Sequence, residues 1–254
     1  IWSNLDDNGV GNYNTLHCGS PVIKGEKFII TKWFREFGEL SYPYKIPISN
    51  KIPNITKYGF RKSKIPDILL KKLIENYNNI KHKAIKENVD SEHYLNKNNK
   101  NVSNLVTIDN NLKKILELEI KKQLEKWVGL NLEHTSTYGI RIYEDQSSLK
   151  LHTDRWDTHI ISAIINISQN VREEWPLVIY DHLANEHKIY MKPGEVILYE
   201  SAKCYHGRPI PLEGSEYSNI FVHYRPTKWN KINNDMRSLL NKNMLINKNP
   251  IDYI

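Results

Sequence analysis

Cysteine is nearly absent from this chain. Two residues, Cys18 and Cys204, stand among 254, too few for the disulfide framework that staples small secreted domains. Long apolar runs are missing as well. No stretch approaches the roughly 20 consecutive apolar residues that a membrane-spanning helix needs. Acidic residues are in the minority, 29 against 36 lysines and arginines, and leave a formal charge of +7. Most of the cations are lysines, and asparagine and isoleucine are also abundant. Nucleotide bias in a coding sequence produces that trio as readily as selection for a basic surface, so a nucleic-acid partner has only net charge behind it. What is present is length enough for one or two domains with a sizeable core.

Residues 38–62 read as a linker, because Tyr42-Pro43-Tyr44, Ile46-Pro47, Ile52-Pro53 and Gly59 recur there without a helical period. From Lys64 the pattern turns helical. Pro66 and Asp67 suit a first turn, and Leu69, Leu70, Leu73, Ile74, Tyr77 and Ile80 form an apolar stripe. Residues 86–104, rich in Asn, Lys and Ser, read as a solvated loop. Asp109 then suits the cap of a second helix that turns Leu112, Ile115, Leu116, Ile120, Leu124 and Trp127 inward. β-Branched runs follow at 160–167 and 196–199, the second after the turn Lys192-Pro193-Gly194-Glu195. The tail, 231–254, holds one short amphipathic helix from about 235 to 245.

Chemistry concentrates between Arg141 and Arg225. His152-Thr153-Asp154 sets an imidazole and a carboxylate two residues apart, and His206 lies far downstream. On a strand, positions i and i+2 face the same way, so both side chains can converge on one ion. Two imidazoles and one carboxylate with open positions form the facial triad of non-haem Fe(II) oxygenases. Ligand strands separated by further strands suit an antiparallel barrel with a metal in its mouth.

The segments HTD, KPGEVILYES and YHGRP resemble the Fe(II)- and 2-oxoglutarate-dependent dioxygenases of the prolyl 4-hydroxylase type, over about residues 60–230. The resemblance implies a mainly β fold with flanking helices, a double-stranded β-helix (jelly-roll) core with N-terminal support helices, in a domain spanning 63–230. It implies that His152, Asp154 and His206 hold iron and that Tyr143 contacts 2-oxoglutarate. One departure stands out. The family places a lysine ten residues after the distal histidine to pair with the far carboxylate of 2-oxoglutarate, and here that residue is Glu216. Arg208, on the strand face of His206, is the first candidate to replace it, and Arg225 the second. His159, five residues past Asp154, is expected on the opposite strand face. His182, His187 and His223 read as structural or exposed rather than metal-bound, and Trp175 as a packing residue beside Pro176. Trp156 reads as a substrate-entrance residue or as cover for the barrel.

The opening, IWSNLDDNGVGNYNTLHCGSPVIKGEKFIITKWFRE, resembles the closing third of another such domain, so residues 1–37 read as its C-terminal fragment. By that resemblance His17 is its distal iron ligand and Lys27 its 2-oxoglutarate lysine, with the remaining ligands expected upstream of Ile1. The implied activity is hydroxylation of a peptidyl side chain such as proline, using Fe(II), 2-oxoglutarate and ascorbate, with a protein or peptide as substrate. Other readings stay open: a nucleobase or small-molecule substrate, a non-catalytic barrel used for binding or scaffolding (suggested by Glu216 and by the partial first domain), and a hydrolytic zinc site on the same ligands.

Overall fold

The structure, a computed structural model, describes residues 52–87 and 103–229. All of them belong to the second of the two units into which the chain divides, Pro43–Ile254. The segment 1–37 and the tail, where a short helix is expected, lie outside the described residues.

Two helices form as the stripes predict. α1 (Asp67–Ile80) buries Leu69, Leu73 and Tyr77 and carries Asp67 in its first turn, where a carboxylate favours the helix dipole. α2 (Asn110–Val128) is capped by Asp109, whose carboxylate accepts the N–H groups of Asn111 and Leu112 at 3.0 Å each. It ends at Gly129 in the left-handed region, φ 69°. Leu112, Leu116, Ile120, Leu124 and Trp127 turn inward. Ile115 does not; it is 49% exposed, because the packed stripe advances in steps of four residues and drifts away from it.

The strands make two antiparallel sheets. β1 (Phe60–Lys64), β2 (Ile85–Lys86), β3 (Asn104–Val106), β4 (Leu132–Tyr143), β6 (Ile161–Val171), β9 (Glu195–Tyr199) and β11 (Gly214–Pro226) run in the order β1-β9-β6-β11-β4-β3-β2. β5 (Leu149–His152), β7 (Leu177–Tyr180), β8 (Glu186–Ile189) and β10 (His206–Arg208) run β5-β10-β7-β8. The first seven residues of β6 are all buried, because the period of two sends them into two different cores. Ile161, Ala163, Ile165 and Ile167 join the cluster that includes Leu73 and Leu116 of the helices. Ile164 instead meets Leu177, Ile179 and Ile189 of the smaller sheet. β9 divides likewise, with Val196 and Leu198 on the helix side and Ile197 and Tyr199 between the sheets. This is a double-stranded β-helix backed by two helices, the fold expected.

Two boundaries differ from the reading. Residues 52–62, taken for linker, belong to the domain: Ile52, Ile55 and Phe60 are buried, and β1 pairs with β9. Between 52 and 59 the chain forms neither helix nor strand and is held in part by a buried side chain, so no period betrays it. The Glu200 carboxylate accepts the N–H of Ile55 at 3.0 Å, the N–H and hydroxyl of Thr56 at 2.7 Å each, and lies 3.1 Å from His182 Nε2. Gly59 follows at φ 85°, where a Cβ would fall 2.3 Å from the Cys204 sulfur, so only glycine fits. The other boundary is the loop read at 86–104. Its described ends are engaged: Ile85–Lys86 pairs with β3, and Glu87 accepts the Ser103 hydroxyl and the Arg141 guanidinium.

Removing the Glu200 carboxylate strands several buried donors at once. Glu200→Ala is therefore expected to lower the unfolding free energy by about 3–5 kcal/mol in urea denaturation. A loss below about 1 kcal/mol would show that the 52–59 segment is held by other contacts.

Candidate metal centre

β5 delivers His152 and β10 delivers His206 directly across from it. β5 ends at His152, so Asp154 does not reach the site by strand alternation alone. Its N–H donates to the Ser201 carbonyl at 2.8 Å, which turns the departing chain back toward the histidines. One ligand atom from each of the three residues lies within 4.8 Å of the others. Asp154 Oδ1 is 3.5 Å from His152 Nε2 and 3.8 Å from His206 Nε2. Each imidazole is oriented from behind. His152 Nδ1 donates to the Lys150 carbonyl and His206 Nδ1 to the Cys204 carbonyl, both at 2.8 Å. A proton on Nδ1 leaves the Nε2 lone pair facing the carboxylate, as metal-ligating histidines require. Burial, reinforced by the neighbouring His152, pushes His206 down to about 4. Burial would raise Asp154, but His152, His206 and His223 outweigh it and hold the carboxyl well below the usual carboxylate range.

The triad lines a cavity of about 250 Å³. Arg208, two residues past His206, also lines it and is 2% exposed. The guanidinium sits between two rings, 4.5 Å from the Trp175 centroid and 4.4 Å from that of Tyr217, and donates to the Trp175 carbonyl. No acidic side chain pairs with it among the described residues. Tyr143 lines the same cavity, and its buried hydroxyl, like that of Tyr217, has no hydrogen-bond partner of normal geometry. Arg225, the second candidate, is turned away: Nε donates to Glu133 at 2.5 Å and Nη1 to the Asp157 carbonyl at 3.2 Å. Glu216 is also off the cavity, 3.2 Å from the Ser218 hydroxyl. The face of β11 toward the cavity carries Asn219, Phe221 and His223, and strand alternation turns Glu216 the other way. His17 and Lys27 lie outside the described residues.

Two cavity residues, and a ring packed on Arg208, escaped the sequence reading of their roles. His159 does line the cavity, because residues 153–160 form turns rather than a straight strand. His223 lies beside it, 3.7 Å from Asp154 Oδ2 through Nδ1, and burial pushes it down to about 3. Trp175 is buried, but as one half of the clamp on Arg208 rather than as a turn residue alone. Only for His223 was a signal available, namely its place on the same strand face as Phe221. His182 and His187 are structural, bonded to Glu200 and Asp181 at 3.1 Å each. Trp156 is 69% exposed and does not line the cavity.

No protein-family model matches the chain. The prolyl 4-hydroxylase subunit alpha-3 of Homo sapiens is 45% identical over 39 residues, 15% of this chain and 7% of that protein. The corresponding protein of Mus musculus matches with the same figures. The matched stretch is thus a small part of those relatives' length. Among solved structures, a prolyl hydroxylase from Trichoplax adhaerens in complex with a hypoxia inducible factor peptide fragment is similar at TM-score 0.52, with 14% identity, over 67% of this chain and 85% of that one. The non-haem α-ketoglutarate-dependent carbocyclase SnoK from nogalamycin biosynthesis is similar at TM-score 0.52, with 11% identity, over 66% and 79%. The fold is that of the 2-oxoglutarate oxygenases. Among the described residues, no helix is long and apolar enough to cross a membrane.

The buried imidazoles make stability depend on pH. His206 and His223 have folded values of about 4 and about 3 against an ordinary 6.5. The unfolded chain therefore binds more protons below pH 6.5, and stability falls as pH drops from 6.5 toward 4. Thermal melts of metal-free protein should show the midpoint declining across that window, and His223→Phe should flatten the decline. An unchanged slope in the variant would mean that His223 does not titrate differently on folding.

Proposed function

We propose that this chain is an Fe(II)- and 2-oxoglutarate-dependent dioxygenase that hydroxylates a peptidyl side chain such as proline. One observation carries the reading: a buried arginine without an acidic partner shares a small cavity with three converging metal-type donors. A buried unpaired charge costs several kcal/mol, so an anion belongs beside Arg208. A dicarboxylate that can chelate a metal at one end and reach Arg208 at the other satisfies both features.

The residues fit the group. Two imidazoles with their outer protons tied to backbone carbonyls, and a carboxylate held ionised, form the donor set of a non-haem iron site with open positions. In this reading His152, Asp154 and His206 hold Fe(II), Arg208 pairs with the far carboxylate of 2-oxoglutarate, and Tyr143 donates to it. Leu149, Ile164 and Leu177 keep water from that end of the cavity. Bound iron with 2-oxoglutarate and O2 supplies oxidation of a C–H bond coupled to decarboxylation of the keto acid, and ascorbate keeps such iron reduced. The peptide bound to the Trichoplax adhaerens enzyme supports a peptide substrate here. The scaffold reading drew on Glu216 and on the partial first domain, and with Glu216 off the cavity it loses the first of these.

Anaerobic titration of Fe(II) and 2-oxoglutarate into the full chain should produce the visible charge-transfer band of the chelate. Arg208→Ala should weaken 2-oxoglutarate binding by about 10- to 100-fold, as loss of a charged hydrogen bond predicts, and Arg225→Ala should leave it unchanged. Iron binding without a band in the wild-type protein would overturn the proposal. Decarboxylation of 2-oxoglutarate without substrate should likewise vanish in His152→Ala and Asp154→Ala.

A further inference from the structure

His223 sits on β11 at the Asp154 end of the cavity, six residues from the Tyr217 ring that covers Arg208. Its protons can be placed by following a chain of hydroxyls inward. The Ser201 hydroxyl donates to the His159 carbonyl at 2.7 Å. It is 2.5 Å from the Ser162 hydroxyl, and with its own proton committed it can only accept there. Ser162 thereby commits its single proton to Ser201. The Ser162 oxygen lies 2.7 Å from His223 Nδ1, so it must accept, and Nδ1 must carry the hydrogen. A neutral ring with its hydrogen on Nδ1 holds its lone pair on Nε2. Nε2 makes no hydrogen bond among the described residues, and the ring lines the cavity.

The ring is also fixed in place. His159 stacks on it with centroids 3.9 Å apart and planes 30° apart. His159 is itself fastened by the Tyr138 hydroxyl at 2.9 Å and the Thr158 hydroxyl at 2.7 Å. Tyr138 adds an edge contact to His223 with centroids 5.5 Å apart. A buried hydroxyl relay and two aromatic neighbours thus hold a bare acceptor nitrogen beside the triad. His223 is not itself placed with the three donor atoms that converge within 4.8 Å.

We infer that His223 is a specificity-determining residue whose Nε2 accepts a hydrogen bond from an N–H or O–H group of the substrate. The inference rests on the oxygenase reading for what sits beside it. It assigns the substrate a chemistry that the reading leaves open: an amide or hydroxyl donor close to the carbon that is oxidised. A substrate presenting only hydrocarbon there would leave a buried acceptor unpaired, and sites built for a hydrogen bond reject such analogues strongly.

Nitrogen NMR of the full chain, labelled at histidine and loaded with Zn(II) and 2-oxoglutarate, tests this without a known substrate. The His223 signals are those lost in His223→Phe. The expected result is a protonated Nδ1 and a bare Nε2, with Ser162→Ala shifting protonation toward Nε2. Acetamide, which carries N–H donors, should then move the Nε2 resonance, and N,N-dimethylacetamide, which carries none, should not. A protonated Nε2 in the wild-type protein, or the same response to both probes, would overturn the inference. The charge-transfer titration separates the two readings: a normal band with a protonated Nε2 removes only the role of His223, and a missing band removes the oxygenase reading.

Discussion

Three lone pairs pointed at one another set the terms for this domain. Two imidazole Nε2 atoms and a carboxylate oxygen converge within 4.8 Å, and the carbonyls of Lys150 and Cys204 take the Nδ1 protons, so that in the neutral tautomer both Nε2 lone pairs face the carboxylate. Acceptors held face to face repel unless a cation stands among them. The fold supplies the restraint. β10 is three residues long yet pairs with β5 on one side and β7 on the other, which sets His206 against both His152 and Ile179. Behind it, the buried carboxylate of Glu200 ties the 52–59 segment to the turn that leads into Cys204 and His206.

Charge in the cavity is organised by partner rather than by residue type. Arg141 is held by Glu87 through two hydrogen bonds, at 2.6 and 2.9 Å, and its charge is already answered. Arg225 is answered by Glu133. Arg208 has aromatic faces and a carbonyl instead. Ring faces stabilise a guanidinium without neutralising it, so it remains available to an anion inside a site that excludes water. The contrast separates one arginine without an acidic partner among the described residues from two that are paired with glutamates, although all three look alike in the chain.

Much of this was legible in the sequence because it depends on local periods. The apolar stripes of α1 and α2 and the Asp109 cap follow from short-range geometry, and the structure lines the cavity with both His206 and Arg208 as a two-residue strand step requires. The HTD spacing marked the right residues, although Asp154 lies past the end of β5 and is held by Ser201. What was not legible depends on where distant segments meet. His159 was assigned to the wrong side because a straight strand was assumed where the chain turns. Trp175 gave no hint of its role, since its partners Arg208 and Tyr217 come from other strands. Residues 52–62 read as linker because the groups that hold them, Glu200 and Lys203, lie about 145 positions downstream.

The departure at Glu216 has a geometric counterpart. In the resembled family the anchor for the far carboxylate is a lysine on the strand after the distal histidine, so its distance from the metal depends on the register between two strands. β11 shifts register against β4 at 220/222 and 223/224, and against β6 at 214/216 and 218/219. Placing the anchor at Arg208 removes that dependence, because two residues along one strand span about 7 Å whatever the neighbouring register. The cavity face of β11 is then released from carrying a cation. It presents Asn219, Phe221 and His223, an uncharged surface of one ring and two hydrogen-bonding groups. With the proposed anchor on β10, that face of β11 is left for contact with substrate.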